Sequence, residues 1–330
     1  MFFNKQVVLF GIIFFTVSLI TVITSCTDTS PSTEQTQQPT THQKWVLQRP
    51  LPQINGLSDI WGSSVENIFI VGDKGTIIHH DSNNWIIMES GTTASLNAVW
   101  GSSSSDVFAV GENGIILHYE GNNWIIVESG TTASLNAVWG SSSSDVFAVG
   151  ENGIILHYEG NNWRNMDSVT SEPLYAVWGS SPSDVYAAGS KGLILHYNGR
   201  SWEKYYSGDA GLVLYGLWGT SSSDIYAVGG YWTSDSRYIG TILHSDGGEW
   251  QTIIGDTGYA LFDIWGSSYS DIYAVGFYGY ITHFNGTDWV NVRIAHLDSS
   301  LSAIWVSPLA DVFAIEESGA ILHYSVTKNH

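Results

Sequence analysis

A single cysteine in 330 residues leaves this sequence without an internal disulfide framework or a cysteine-based metal cluster. Basic residues are also scarce. Eleven Lys and Arg stand against 31 Asp and Glu, for a net charge of -20. Such a surface repels phosphates, which argues against nucleic acid and anionic lipid as partners. No nucleophile elbow, His-x-x-x-His pair or P-loop occurs. What is plentiful is aromatic and flexible: 15 Trp, 17 Tyr and 35 Gly, with 43% hydrophobic residues overall. That is enough apolar surface to exclude disorder for most of the chain.

The N-terminus reads as an address. Lys5 supplies a positive start, residues 7–23 are almost unbroken apolar chain, and the only Cys follows in Ile23-Thr24-Ser25-Cys26. This resembles the bacterial lipobox, which implies cleavage after residue 25 and a diacylglycerol thioether on Cys26. An uncleaved membrane span is the alternative, since about 17 apolar residues nearly suffice to cross a bilayer. Residues 27–44 hold six Thr, four Gln, two Ser and two Pro, with no aliphatic or aromatic residue. They cannot fold, and as a random coil they separate anchor and domain by roughly 23 Å. Residues 26–44 are therefore a lipidated Cys and a tether.

Repetition dominates the rest. Residues 86–124 and 125–163 match at 38 of 39 positions, differing only at Met88 and Val127. The wider motif begins with a Trp that recurs as Trp61, Trp100, Trp139, Trp178, Trp218, Trp265 and Trp305. A period near 40 suits helix-pair solenoids or propeller blades. No stretch has room for a helix of ordinary length. Three short β-branched runs instead surround Trp100, Phe108 and Leu117, and Trp124-Ile125-Ile126-Val127 adds a fourth. Asn113-Gly114 is a hairpin signal between the second and third. Four strands repeated seven times predict an all-β, seven-bladed β-propeller over residues 45–324, followed by a short tail, 325–330. A second Trp ends six of the repeats, from Trp85 to Trp289, and its seventh counterpart is Trp45. Trp45-Val46-Leu47-Gln48 is thus expected to close the last blade as its outer strand. Only Trp232 falls outside this framework.

His118-Tyr119-Glu120-Gly121-Asn122-Asn123-Trp124 and His244-Ser245-Asp246-Gly247-Gly248-Glu249-Trp250 resemble shortened Asp-boxes of the BNR propellers. The whole of 45–324 is also similar to the photosystem II assembly-factor-like propellers, which share a G-x-I-L…G…W core. The resemblance implies the fold. It permits, without selecting, a role as an assembly or stability factor for an envelope complex.

Features present in every repeat are read as scaffold. The recurring His (His79, His118, His157, His196, His244, His283 and His323) lie on third strands that diverge from the axis, so they cannot converge on a metal. They are expected to hydrogen-bond inside each blade. The Ser-Ser-x-x-Asp segments ending in Asp106 and its equivalents are expected to form Asx turns. Function is sought where the repeat breaks. The fifth repeat carries eight extra residues around Tyr231, Trp232, Arg237 and Tyr238, and the sixth offers Tyr259, Phe277 and Tyr278, followed by Arg293, His296 and Asp298. These share one face and suit a sugar, a peptide or a partner protein. Asp59 and Asp263 replace Ala on inner strands and read as solvated channel carboxylates. A sialidase-like triad needs three converging Arg, and of the five Arg only Arg237 and Arg293 lie on that face.

The sequence therefore points to an exported, lipid-anchored, monomeric propeller at a bacterial envelope. It is expected to act as a non-catalytic binding module without metal or cofactor, taking a carbohydrate or protein ligand. A glycan-degrading hydrolase is the alternative in another class. Replacing the thiol tests the address: Cys26→Ser is expected to leave an unacylated, unprocessed precursor, read by mass spectrometry and detergent partitioning. Normal maturation of that variant would refute lipidation.

Overall fold

The computed structural model describes residues 45–48, 55–294, 297 and 299–325. Residues 1–44, where the signal segment, the acylated Cys26 and the tether are expected, lie outside the described residues, as do His296, Asp298 and residues 326–330. Among the described residues there are seven four-stranded antiparallel sheets and no α-helix, hence none long and apolar enough to cross a membrane.

Blade two shows how sequence becomes strand. Its inner strand Leu96–Ser103, second strand Asp106–Gly111, third strand Ile116–Tyr119 and outer strand Trp124–Val127 pair in chain order. Val107, Phe108, Ala109 and Val110 are all fully buried, because the second strand has a neighbouring blade on each side. The Asn113-Gly114 step makes the expected tight turn, with φ of 57° and 71°. Each blade begins with a bulge, a one-residue register shift just after the first Leu of the inner strand, for instance between Leu96 and Ala98. The bulge turns two successive residues toward the central channel.

The Trp-Gly pair of the motif explains itself between blades. A Cβ on Gly62, Gly101, Gly140, Gly179, Gly219 or Gly266 would stand 2.6–2.9 Å from a ring atom of the preceding blade's Trp. At these six positions the absence of a side chain lets the indole approach the next inner strand this closely. Outer Trp residues do the complementary job at the rim. Trp124 meets Phe69 edge-on at 5.9 Å, Trp163 meets Phe108 at 5.8 Å, and Trp289 meets Tyr226 at 6.2 Å, each reaching back one blade.

Closure follows the sequence expectation. Strand Trp45–Leu47 pairs antiparallel with Ile321–Tyr324, placing Trp45 opposite Tyr324 and Val46 opposite His323. The Gln48 N–H extends the ladder to the Ile321 carbonyl at 2.9 Å. First and last segments of the propeller thus share one sheet, and the ring has no open seam.

The recurring His each meet an acid or amide of their own blade. His118 Nε2 lies 2.6 Å from Asp106 Oδ1, His283 lies 2.7 Å from Asp271, and in blade one His79 lies 3.1 Å from Asn67 Nδ2. Each such His also stacks on the second-strand aromatic, as His118 does on Phe108 at 4.0 Å. The expected Asx turns are corrected. Asp106 turns back toward His118 and the Ser102 hydroxyl, and the first turn is held by Ser103 Oγ accepting from the Ser105 N–H. Asx geometry occurs instead at the third-to-outer turn, where Asn198, Asp246 and Asn285 accept backbone N–H groups two or three residues on.

Two outcomes check this account. Deleting residues 45–48 is expected to bare the edge at Ile321–Tyr324, lowering the melting temperature and promoting aggregation. Trp139 packs against three of the core clusters. Trp139→Ala is accordingly expected to cost ~3–5 kcal/mol in denaturant unfolding.

Candidate binding site at the channel mouth

The bulged inner strands surround an axial cavity of about 570 Å³. Seven equivalent positions, one per blade, face it: Ser58, Asn97, Asn136, Tyr175, Tyr215, Phe262 and Ser302. On one side these residues serve the ring. Asn97 Nδ2 donates to the Leu135 carbonyl at 2.8 Å, Asn136 to Leu174 at 2.9 Å, and Ser302 Oγ to Leu57 at 2.8 Å, each pinning one blade to the next. On the other side, in blades four to six, three aromatic rings replace them. Tyr175 and Tyr215 lie 5.5 Å apart, and Tyr215 meets Phe262 edge-on at 5.7 Å.

This aromatic wall runs outward into the blade-five insertion. The extra residues lengthen two strands, Asp224–Trp232 and Tyr238–Ser245, and pair Trp232 with Tyr238 across a turn. Thr233 Oγ1 caps that turn by accepting from the Arg237 N–H at 3.0 Å. Trp232 stacks on Tyr238 at 4.9 Å, and the Tyr238 hydroxyl meets that of Tyr215 at 2.7 Å. Phe277 touches both Tyr238 and Phe262, at 6.5 and 6.3 Å. Tyr278 follows at 4.3 Å, and Tyr259 joins Tyr278 to Tyr280. Trp232 is 67% exposed and Tyr278 59%. A ladder of rings therefore leads from the channel to open surface.

The structure brings Trp232, Tyr238, Tyr259, Phe277 and Tyr278 together. Tyr231, on the opposite side of the same strand, packs on the core shared by blades four and five, and its hydroxyl donates to the Gly255 carbonyl. Arg237 forms an ion pair with Asp235 at 2.9 Å and lies 3.8 Å from Asp256, so its charge is spent locally. Arg293 ends the blade-six outer strand Trp289–Arg293. Its side chain, like His296, lies outside the described residues. Tyr175, Tyr215 and Phe262 were missed by reading the insertion alone. The signal was present, because aligned blades two and three have Asn at that position.

Asp59 and Asp263 sit beside these rings on the channel wall, half-buried and lining the cavity as expected, and each also bonds backbone. Asp59 Oδ1 accepts from the Ile60 N–H and Oδ2 from the Val99 N–H of blade two, both at 2.8 Å. Asp263 likewise accepts from Ile264 and from Ile304 of blade seven, both at 2.8 Å. Each carboxyl staples its blade to the next. Burial pushes Asp59 up to about 7, against the pull of its two N–H donors. Asp263 is raised well above the ordinary carboxylate range by burial and then by the charge of Asp59. Asp73 and Glu317 also line the cavity, so its polar chemistry is acidic. Among the described residues no group of three or more His, Cys, Asp or Glu could hold a metal ion.

No family model matches the chain, and no curated protein matches it in sequence. Solved structures do. The structure of YCF48 bound to a D1 peptide aligns with a TM-score of 0.67 at 17% identity, over 86% of this chain and 95% of that one. YCF48 from Cyanidioschyzon merolae gives 0.66 at 15%, over 85% and 98%. The WD40 propeller domain of Doa1 gives 0.69 at 13%, over 87% and 98%. The likeness is one of fold. The chain is a seven-bladed propeller similar to YCF48 and to a WD40 domain.

The staples carry a pH signature. A carboxyl raised in the fold contributes stability fully present below its unfolded value near 3.8 and lost as pH rises through about 7. Urea midpoints of the wild type are expected to fall between pH 4 and pH 7, and Asp59→Asn is expected to flatten that slope. An unchanged slope in the variant would contradict the assignment.

Proposed function

We propose that this propeller is a non-catalytic binding module whose site is the aromatic mouth in blades four to six, and that it takes a polypeptide segment of a partner protein. The observation that carries the reading is the unbroken ring ladder from Tyr175 in the channel to Trp232 at the surface. Scaffold packing does not require it, since blades two and three close the same ring with Asn at the equivalent positions. Flat aromatic faces that share the cavity with the exposed Asp73 and Glu317 favour a segment with Lys or Arg among apolar residues. Cationic heads stack on the rings, and these two side chains supply complementary charge. YCF48 has been seen with a bound peptide, which supports a peptide as the ligand class without identifying it. The assembly-factor reading is a special case of the same site.

The hydrolase reading is weaker. Asp59 and Asp263 are the paired carboxyls such an enzyme would use, yet each is already engaged by two backbone N–H groups. For the address, we infer export and acylation at Cys26, with residues 27–44 linking the propeller to a bacterial envelope membrane. The lone Cys at the lipobox position supports it.

Binding is tested on arrays of random peptides and of glycans probed with the same protein. Peptides rich in Lys, Arg and aromatic residues are expected to bind, more weakly as salt rises. Trp232→Ala is expected to weaken them at least ~10-fold while changing stability by less than ~0.5 kcal/mol. Selection of glycans alone would contradict the ligand class, and full affinity in Trp232→Ala would contradict the site.

A further inference from the structure

A repeat protein presents the same chemistry at equivalent positions unless something outside the fold asks otherwise. The two residues after each outer-strand Trp break that rule. They are Arg164 and Asn165 in blade three, Glu203 and Lys204 in blade four, and Gln251 and Thr252 in blade five. In blade six they are Val290 and Asn291. In blades seven, one and two both are aliphatic: Val46 and Leu47, Ile86 and Ile87, Ile125 and Ile126. These three blades are consecutive around the ring, with blade one between the other two.

All six side chains are exposed, from 37% at Leu47 to 57% at Ile126. Packing does not demand them. Blade three repeats blade two residue for residue up to Trp163 and then forms the same outer strand with Arg164 and Asn165. The aliphatic pairs also lie on strands whose far edge has no partner, and none of these strands carries the Lys or Pro that ordinarily guards such an edge. Half-buried Trp45 and Trp85 flank the patch with rings that are apolar in body and polar at one end. A lateral apolar flank of this extent needs a cover.

The chain itself indicates the cover. It enters the propeller at Trp45, on this flank, from the 18-residue polar stretch 27–44 that follows Cys26. As a random coil that stretch spans roughly 23 Å, so the anchor is tied to the ring by a short link that joins it on this flank. Glu89 and Glu128 stand exposed just beyond two of the strands, and the chain's net charge of -20 opposes an anionic surface.

We propose that the apolar outer-strand flank of blades seven, one and two rests on a lipid surface of zwitterionic headgroups, next to the point where Cys26 is anchored. The proposal rests on the acylated-anchor reading above. A propeller seated on its rim in this way leaves both of its faces, including the aromatic mouth, open to partners.

The test uses the acylated full chain in phosphatidylethanolamine–phosphatidylcholine vesicles doped with a phospholipid carrying a photoreactive diazirine in its acyl chain. Labelled residues are then mapped by mass spectrometry. Labelling at 45–48, 85–88 and 124–127 is expected to exceed that at 163–165, 202–205 and 251–254 by about tenfold. In Ile87→Glu/Ile126→Glu the excess is expected to vanish while the chain still floats with the vesicles through its anchor. Even labelling of all outer strands on a floating chain would overturn the flank and leave the anchor standing. A chain that does not float would overturn the anchor and the flank together. Chain-to-chain crosslinks at 85–88 and 124–127, in place of lipid adducts, would assign the flank to a second copy and overturn the proposal.

Discussion

The contact on which everything else depends is the indole of one inner strand lying on the glycine of the next. It fixes the spacing of blades, because no side chain larger than hydrogen fits beneath the ring at Gly62, Gly101, Gly140, Gly179, Gly219 and Gly266. With that spacing set, the outer Trp reaches the second-strand aromatic of the preceding blade, and the bulge after the first Leu directs two residues per blade into the channel. Blade seven shows the tolerance of the scheme. Val306 stands where the other blades have Gly, and Trp265 packs among three neighbouring clusters. The N-terminal strand then completes the ring that these contacts presuppose.

Much of this was legible in the sequence because repetition multiplies weak signals. One Trp-Gly step or one Asn-Gly turn says little. Seven inner-strand Trp in register, six of them followed by Gly, fix the period, the strand count and the missing outer strand at Trp45. The same logic placed the His residues inside their blades. It failed on side-chain direction. Ser103 and Asp106 both belong to a turn-forming pattern, and only the pairing of second and third strands shows that the Asp serves His118. Nor could composition show that Asp59 and Asp263 have backbone donors from two blades at once. Those donors are brought together by ring geometry over about 40 residues of chain.

The site illustrates both sides. Trp232 stood out as the one Trp without a framework role, and the structure sets it at the exposed end of the aromatic ladder. The inner end escaped notice because Tyr175, Tyr215 and Phe262 sit on regular strands with no insertion to draw the eye. They matter because equivalence is broken there. Where Asn97 and Asn136 spend their side chains on the next blade, these rings line the cavity. The ring thus divides into a side whose channel residues bond the next blade through Asn or Ser and a side whose equivalent residues are aromatic.

That division is the central claim, and restoring the symmetry tests it. A triple variant, Tyr175→Asn, Tyr215→Asn and Phe262→Asn, gives blades four to six the channel residue of blades two and three. Its melting temperature and its affinity for array-selected basic peptides would be measured together. The account predicts a ring that stays folded near the wild-type melting temperature and loses the peptides. A folded ring that binds them with undiminished affinity would contradict it.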